Sequence, residues 1–309
     1  MQSRTIGSLR VSIVGLGCNN FGRRIDAAAS RAVVHAALDA GITFFDTADI
    51  YGGGQSEEFL GQALGARRAE VVLATKFGIA MGGVPGGAKP EYVRQAVEES
   101  LRRLGTDRID LYQLHQPDAT TPIADTLAAL NELVQAGKVR EIGCSNFSVE
   151  QLRAARDAVR AGAARFVSVQ NEYSLIHRDP ERGVLAECGR QKLAFIPYYP
   201  LASGLLTGKH RKGRPTPAGT RLSDAARAKD LLTEQNLEVV EALLAFATSR
   251  GRTLLELAVS WLLSRPAVAS VICGATKPEQ VQANARASGW TLSEEELSEV
   301  DSIVQQETT

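Results

Sequence analysis

The sequence predicts an α/β protein, a closed (β/α)8 TIM barrel with an N-terminal β-hairpin plug and extra C-terminal helices. Three observations predict it: eight short apolar runs rich in β-branched residues, a helical pattern after each of them, and a nearly constant spacing over the first seven. The runs begin near Ser12, Ile42, Val71, Ile109, Val139, Phe166, Leu193 and Ser270. The first seven are separated by 30, 29, 38, 30, 27 and 27 residues, which suits one strand, one helix and two loops. A barrel of this kind needs about 250 residues, so one domain accounts for residues 1–309.

Each element has its own signal. Arg4 to Val11, with Gly7-Ser8 between two short segments, reads as a hairpin before the first barrel strand, placed to plug the N-terminal end. Val93, Val97, Leu101 and Leu104 form an apolar helical stripe after the third strand. Beside it, the Glu98/Arg102 and Glu99/Arg103 pairs at i, i+4 read as solvated helix pairs. Thr121-Pro122 reads as an N-cap followed by a first-turn proline, and Gly137 as the matching stop. Between them Ile123, Leu127, Leu130 and Val134 form a second stripe. The last interval, 77 residues, is too long for one crossover and must hold an inserted loop and two helices.

An open dinucleotide-binding sheet is the competing architecture. It should carry G-x-G-x-x-G at its first β-α turn, but here Gly15-Leu16-Gly17 runs into Cys18, Asn19 and Asn20. Lys plus Arg and Asp plus Glu both number 35, so no global field attracts nucleic acid or an anionic membrane. No run approaches a membrane span and the start lacks a leader pattern, so a cytoplasmic protein is expected. The four cysteines, Cys18, Cys144, Cys188 and Cys273, form no C-x-x-C pair and read as reduced packing residues, with no metal site.

In such a barrel, reactive groups sit at the C-terminal ends of different strands. Ile42 to Phe45 runs into Asp46, Val71 to Thr75 into Lys76, and Ile109 to Leu114 into His115, while Tyr51 lies five residues beyond Asp46. Acid, base, imidazole and phenol on one rim suit protonation of a carbonyl oxygen as hydride reaches its carbon. Lys76 would stabilise the tyrosinate, Asp46 would orient Lys76, and His115 would hydrogen-bond the substrate oxygen. A Schiff-base lyase or aldolase using Lys76 is the rival chemistry, disfavoured because Asp46 should keep the amine protonated.

The segment Gly41-Ile42-Thr43-Phe44-Phe45-Asp46-Thr47-Ala48-Asp49-Ile50-Tyr51-Gly52 resembles the signature of the aldo-keto reductase superfamily. Thr75-Lys76, Asp110 to His115, Ile142 to Phe147, Gln170 to Tyr173 and Gly274 to Gln280 follow in the family's order, from Arg4 to Asn284 overall. The resemblance implies a catalytic tetrad of Asp46, Tyr51, Lys76 and His115, with NADPH/NADP+ as cofactor and a small carbonyl compound as substrate. It implies that Ser145, Asn146 and Gln170 hold the nicotinamide carboxamide and that Tyr198 stacks on the ring. Leu201, Ser203 and Leu206 would meet the pyrophosphate. Gly274, Thr276, Lys277, Gln280 and Asn284 would meet the adenosine 2′-phosphate and adenine. Gln280 and Ala283 depart from the family's usual arginine and glutamate, and Tyr199 from its serine. Ser203 to Lys229 holds Lys209, Arg211, Lys212, Arg214, Arg221, Arg227 and Lys229, and reads as a flap in which Lys209 and Arg221 meet phosphate. Asn19, Asn20, Phe21, Phe77 and the loop from Gly78 to Lys89 are expected to border the substrate, with Gly82-Gly83 and Gly86-Gly87 making that loop mobile. The layout also resembles the voltage-gated potassium-channel β subunits, which implies an alternative: a regulatory NADPH-binding protein. Those subunits lack a histidine at the place of His115.

Overall fold

In the computed structural model, residues 1–81, 83, 86–224 and 228–306 are described, the last two segments without the side chains of 224 and 306. Gly82 and Arg227 therefore lie outside the described residues. The chain opens with an antiparallel hairpin, β1 (Ser3–Ile6) and β2 (Leu9–Ser12), turned at Gly7, whose φ of 56° is costly for any residue with a Cβ. Eight parallel strands follow: β3 (Val14–Gly17), β4 (Phe44–Asp46), β5 (Val72–Phe77), β6 (Ile109–Leu114), β7 (Val139–Ser145), β8 (Phe166–Glu172), β9 (Ala194–Tyr198) and β10 (Val271–Gly274). They are ordered β10-β3-β4-β5-β6-β7-β8-β9. The seam is joined by Phe195, whose amide donates to Ala267 O at 2.7 Å and whose carbonyl accepts from Ala269 at 2.9 Å. The ring of strands is thus held together all round, as a (β/α)8 barrel requires.

The helices lie outside the strands: α1 (Ala27–Asp39), α2 (Gln55–Leu64), α3 (Pro90–Leu104), α4 (Ile123–Gln135), α5 (Val149–Ala158) and α6 (Val184–Gln191). Between β9 and β10 come the short α7 (Arg221–Asp224) and α8 (Ala228–Leu231), then α9 (Glu234–Ser249) and α10 (Leu254–Leu263), the two helices the long interval called for. Helices α11 (Pro278–Arg286) and α12 (Glu294–Gln306) close the chain. Among the described residues, no helix is long and apolar enough to cross a membrane.

Alternation along the strands divides the core in two. One layer fills the space between strands and helices, including the whole Val93, Val97, Leu101, Leu104 stripe. The other lies inside the barrel, where Phe44, Val72, Leu111, Val167, Ile196 and Ile272 meet Ile6, Leu9 and Val11 of the hairpin. The hairpin therefore plugs the barrel with apolar side chains, so the opposite end is the one open to a ligand.

Three local expectations change. Ser12 ends the hairpin, and the first barrel strand begins at Val14. Thr121 does not cap α4: Pro122 holds the N-cap position and the Thr121 hydroxyl donates to Asp118 at 2.8 Å. The helix pairs of α3 do not both sit in solvent. Arg103 is only 6% exposed and donates to the fully buried Glu57 at 2.7 Å, while Glu98 pairs with Lys138. All four cysteines are free and buried, as the packing reading expects.

Candidate active site

A cleft of about 860 Å³ opens at the C-terminal ends of the strands. Its floor is charged and closed. Lys76, at the end of β5, is fully buried and its ammonium donates to Asp46 Oδ2 at 2.6 Å and to Thr47 O at 2.9 Å. The other oxygen of Asp46 accepts from Gln113 Nε2 at 3.1 Å and Gln170 Nε2 at 2.9 Å. Charge and hydrogen-bonding capacity are thus satisfied together, the condition under which a buried ion pair is tolerated. Burial works against the Lys76 ammonium, but Asp46 and Tyr51 outweigh it and hold the lysine above its ordinary value.

Tyr51 hangs over this pair, with Lys76 Nζ 5.2 Å from its ring centroid. The loop that carries it is stitched to β5: Thr47 donates to Ala74 O at 2.9 Å and Asp49 to Lys76 O at 3.1 Å. Beyond Tyr51 the backbone takes left-handed angles at Gly52, Gly53 and Gly54 (φ 60°, 65° and 96°), a run that only glycine makes without strain. Burial raises the phenol above its ordinary value of 10, and although Lys76 pulls the other way, burial prevails. The net direction is thus opposite to the one expected from Lys76 alone. His115 meets Tyr51 edge-on, ring centroids 5.8 Å apart. Burial, then Lys76, depresses the imidazole to about 3, so it is neutral through the working range.

One wall comes from β7, β8 and β9. Ser145 Oγ donates to Gln170 O at 2.6 Å, Asn146 Nδ2 donates to His115 O at 2.9 Å, and Tyr198 Oη donates to Asn146 Oδ1 at 2.8 Å. Gln170, expected at a carboxamide, has its amide nitrogen committed to Asp46. The opposite wall is the flap. Tyr199, Ala202, Ser203 and Gly204 all have positive φ (50°, 44°, 58° and 100°), a bent stretch of backbone of the kind that cradles anions. A Cβ at Gly204 would lie 2.9 Å from Lys209 Nζ, so the glycine keeps room for that ammonium. Arg221 Nη2 donates to Asn19 Oδ1 at 3.0 Å and Asn20 Oδ1 at 2.7 Å, and Asn20 Nδ2 donates to Ala275 O at 3.1 Å, which ties the flap to the exits of β3 and β10. Leu201 and Ser203 line the cleft, while Leu206 is fully buried beneath it.

At the far end Gly274, Thr276, Gln280 and Asn284 line the cleft, and the Thr276 amide donates to Gln280 Oε1 at 2.7 Å. Lys277 is exposed at the N-cap of α11, outside this lining. Phe21 and Phe77 are fully buried and do not line the cleft; Phe77 stacks on Tyr112 instead. The loop after β5 is pinned at its end, with Gly87 donating to Gly78 O at 2.8 Å and Ala88 to Asp118. Sequence reasoning missed Gln113, Arg23 and Arg24. Gln113 had a signal, a polar residue inside an apolar strand; two arginines in a loop had none.

A long cleft with buried amides at one end, cations without an ion-pair partner among the described residues in the middle and a helix N-terminus at the other fits a dinucleotide phosphate cofactor. Among the described residues no group of three or more His, Cys, Asp or Glu is placed to hold a metal ion.

Comparison with known proteins agrees with this geometry. The Aldo/keto reductase family model matches residues 13–305. Aldo-keto reductase YhdN of Bacillus subtilis (strain 168) is 36% identical over 306 residues, which cover 96% of this chain and 91% of that protein. A probable voltage-gated potassium channel subunit beta of Oryza sativa subsp. japonica is 35% identical, covering 99% of this chain and 97% of that one. The solved glycerol dehydrogenase AKR11B4 from Gluconobacter oxydans superposes with a TM-score of 0.87 at 32% identity, over 99% and 95% of the two chains. The barrel, its charged floor and these matches together place the chain in the aldo/keto reductase family, as a carbonyl oxidoreductase that uses a nicotinamide cofactor.

Proposed function

We propose that the whole chain works as one unit that reduces an aldehyde or ketone to an alcohol with NADPH, Tyr51 supplying the proton. The observation that carries this reading is Lys76, a buried ammonium held between the Asp46 carboxylate and the Tyr51 ring. NADPH, when bound, supplies the hydride. The rest falls to the chain. Tyr51 stays protonated through neutral pH and can give its proton to the carbonyl oxygen, and Lys76 stabilises the phenolate left behind. His115, as a neutral imidazole, donates a hydrogen bond to the same oxygen without competing as a proton source.

Ser145, Asn146 and Gln170 would orient the nicotinamide and Tyr198 would cover its ring. Leu201, Ser203, Lys209 and Arg221 would hold the pyrophosphate, with Leu206 packed beneath them, and Gly274, Thr276, Lys277, Gln280 and Asn284 the adenosine end. The held-up Lys76 amine counts against a Schiff-base lyase, which needs it neutral.

The test is a carbonyl panel followed by NADPH absorbance, with Tyr51→Phe alongside. Turnover should fall by about 10²–10⁴ while NADPH fluorescence still reports binding. Retained activity in that variant overturns the mechanism, and equal kcat/KM with NADH overturns the cofactor preference. Similarity to the channel subunit supports a second reading, cofactor binding without metabolic turnover. It gains if NADPH binds tightly and no carbonyl compound oxidises it.

A further inference from the structure

Arg23, Arg24, Lys209 and Arg221 line the cleft, and none has a carboxylate within ion-pair distance among the described residues. The pyrophosphate of the cofactor brings one negative charge per phosphate, which Lys209 with Arg221 matches, while the 2′-phosphate of NADPH falls, on the reading above, to the adenosine end beside Lys277. Arg23 and Arg24 remain.

These two sit on a tight loop from Asn20 to Ile25. The amides of Arg23, Arg24 and Ile25 all donate to Asn20 O, at 3.3, 2.8 and 3.2 Å, and Gly22 donates to Ile25 O at 3.0 Å. The loop presses on the residue after Tyr51: a Cβ at Gly52 would meet Phe21 O at 2.7 Å and Gly22 Cα at 3.0 Å. Arg23 leaves the loop one residue beyond that contact, exposed and facing the same cleft as Tyr51. Arg24 reaches the flap, its Nη2 donating to Gly219 O at 3.0 Å. Arg221, 5.6 Å from the Tyr199 ring, closes the group. Burial lowers the Arg221 guanidinium below its ordinary value, with Arg24 and Arg23 acting in the same direction, and burial, Arg24 and Arg221 lower Lys209. Cations gathered in this way favour an anion between them.

From the meeting of the Asn20–Ile25 loop, Gly52 and the flap we infer, resting on the reductase reading above, that the substrate is a carbonyl compound bearing a phosphate or carboxylate group. Arg23 and Arg24 hold that anion beside Tyr51. A neutral aldehyde of the same size reaches the same proton donor but leaves the arginines unmatched. Phosphate and carboxylate share this recognition, since both accept the paired N–H donors of a guanidinium.

The experiment measures kcat/KM with NADPH for glyceraldehyde 3-phosphate against glyceraldehyde, and for succinic semialdehyde against butanal. It uses the wild type, Arg23→Gln and Arg23→Lys. The wild-type ratio of anionic to neutral substrate should be at least about tenfold in one of the two pairs, which also identifies the anion. It should drop about tenfold in Arg23→Gln and return largely in Arg23→Lys. NADPH Kd, read by fluorescence, should change far less than the ratio. Inorganic phosphate should compete with the neutral aldehyde in the wild type and lose that competition in Arg23→Gln. A ratio near one in both wild-type pairs, or a ratio untouched by Arg23→Gln, overturns the inference while leaving the reductase reading intact. A loss of NADPH affinity as large as the loss of selectivity also overturns it, because Arg23 would then serve the cofactor. If no carbonyl compound is turned over at all, the reductase reading itself falls.

Discussion

At the floor of the cleft, Lys76 is 1% exposed, and its ammonium meets a carboxylate and a carbonyl oxygen. At the rim, Lys209 is exposed and its charged neighbours are Arg24 and Arg221. The same side chain serves opposite ends. A buried charge must be paired within the fold or it costs several kcal/mol. A charge kept partly in water tolerates like neighbours better, because water screens part of their repulsion. The floor is therefore finished before any ligand arrives, and the rim is completed only by one.

That contrast is open to direct tests. Lys76→Met strands the Asp46 carboxylate with only the Gln113 and Gln170 amides, and should cost about 3–5 kcal/mol in urea unfolding, besides ending turnover. A cost under about 1 kcal/mol would mean that the floor does not depend on its ion pair. Lys209→Ala should weaken NADPH binding by about 1.5–3 kcal/mol, measured by fluorescence titration. The ligand-free chain should unfold at an unchanged or slightly higher temperature, since a repelled charge is gone. A lowered Tm in that variant would break the comparison from the rim side.

Behind the floor one acid departs from the pattern. Asp49 is 2% exposed and its Oδ1 has no hydrogen-bond partner among the described residues. Burial, then Glu57, raises it to about 7, against the pull of the Ile50 amide, Arg103 and Lys76. A carboxyl raised in the fold costs nothing while it is protonated in both states, below about pH 4. The cost grows as pH rises toward 7 and stays constant above. Asp49→Asn should therefore stabilise the chain by about 2–4 kcal/mol at pH 8 and bring little gain at pH 4, as thermal melts at the two pH values would read. An equal gain at both would assign the effect to packing.

Much of this was legible in the sequence, unevenly. Every barrel strand stood within two residues of its expected start, because burial on both faces leaves a continuous apolar run that ends where a polar group is needed. Asp46, Lys76 and His115 are such ends, and the structure brings them together with Tyr51. Arg103 was misread. An i, i+4 partner on its own helix looks sufficient, and nothing local reveals that Glu57, 46 positions earlier, lies buried against α3. Arg23 and Arg24 carry no local signal either, and only the placement of Gly52 and Gly219 against their loop brings them to the cleft.

The sequence by itself determined the order and kind of the elements, the end of the barrel where reactive groups gather, and the identity of the four residues on its floor. Those follow from periodicity and strand termini, which act over a few residues. Only the tertiary structure decided which charges are paired and which are left for a ligand. Arg221 meets Asn19 and Asn20 across about 200 positions, Gln170 meets Asp46 across 124, and Arg103 meets Glu57 across 46. Long side chains from distant segments find or miss a partner only when the barrel closes, because burial and distance set the worth of a charge and neither exists until the chain is folded.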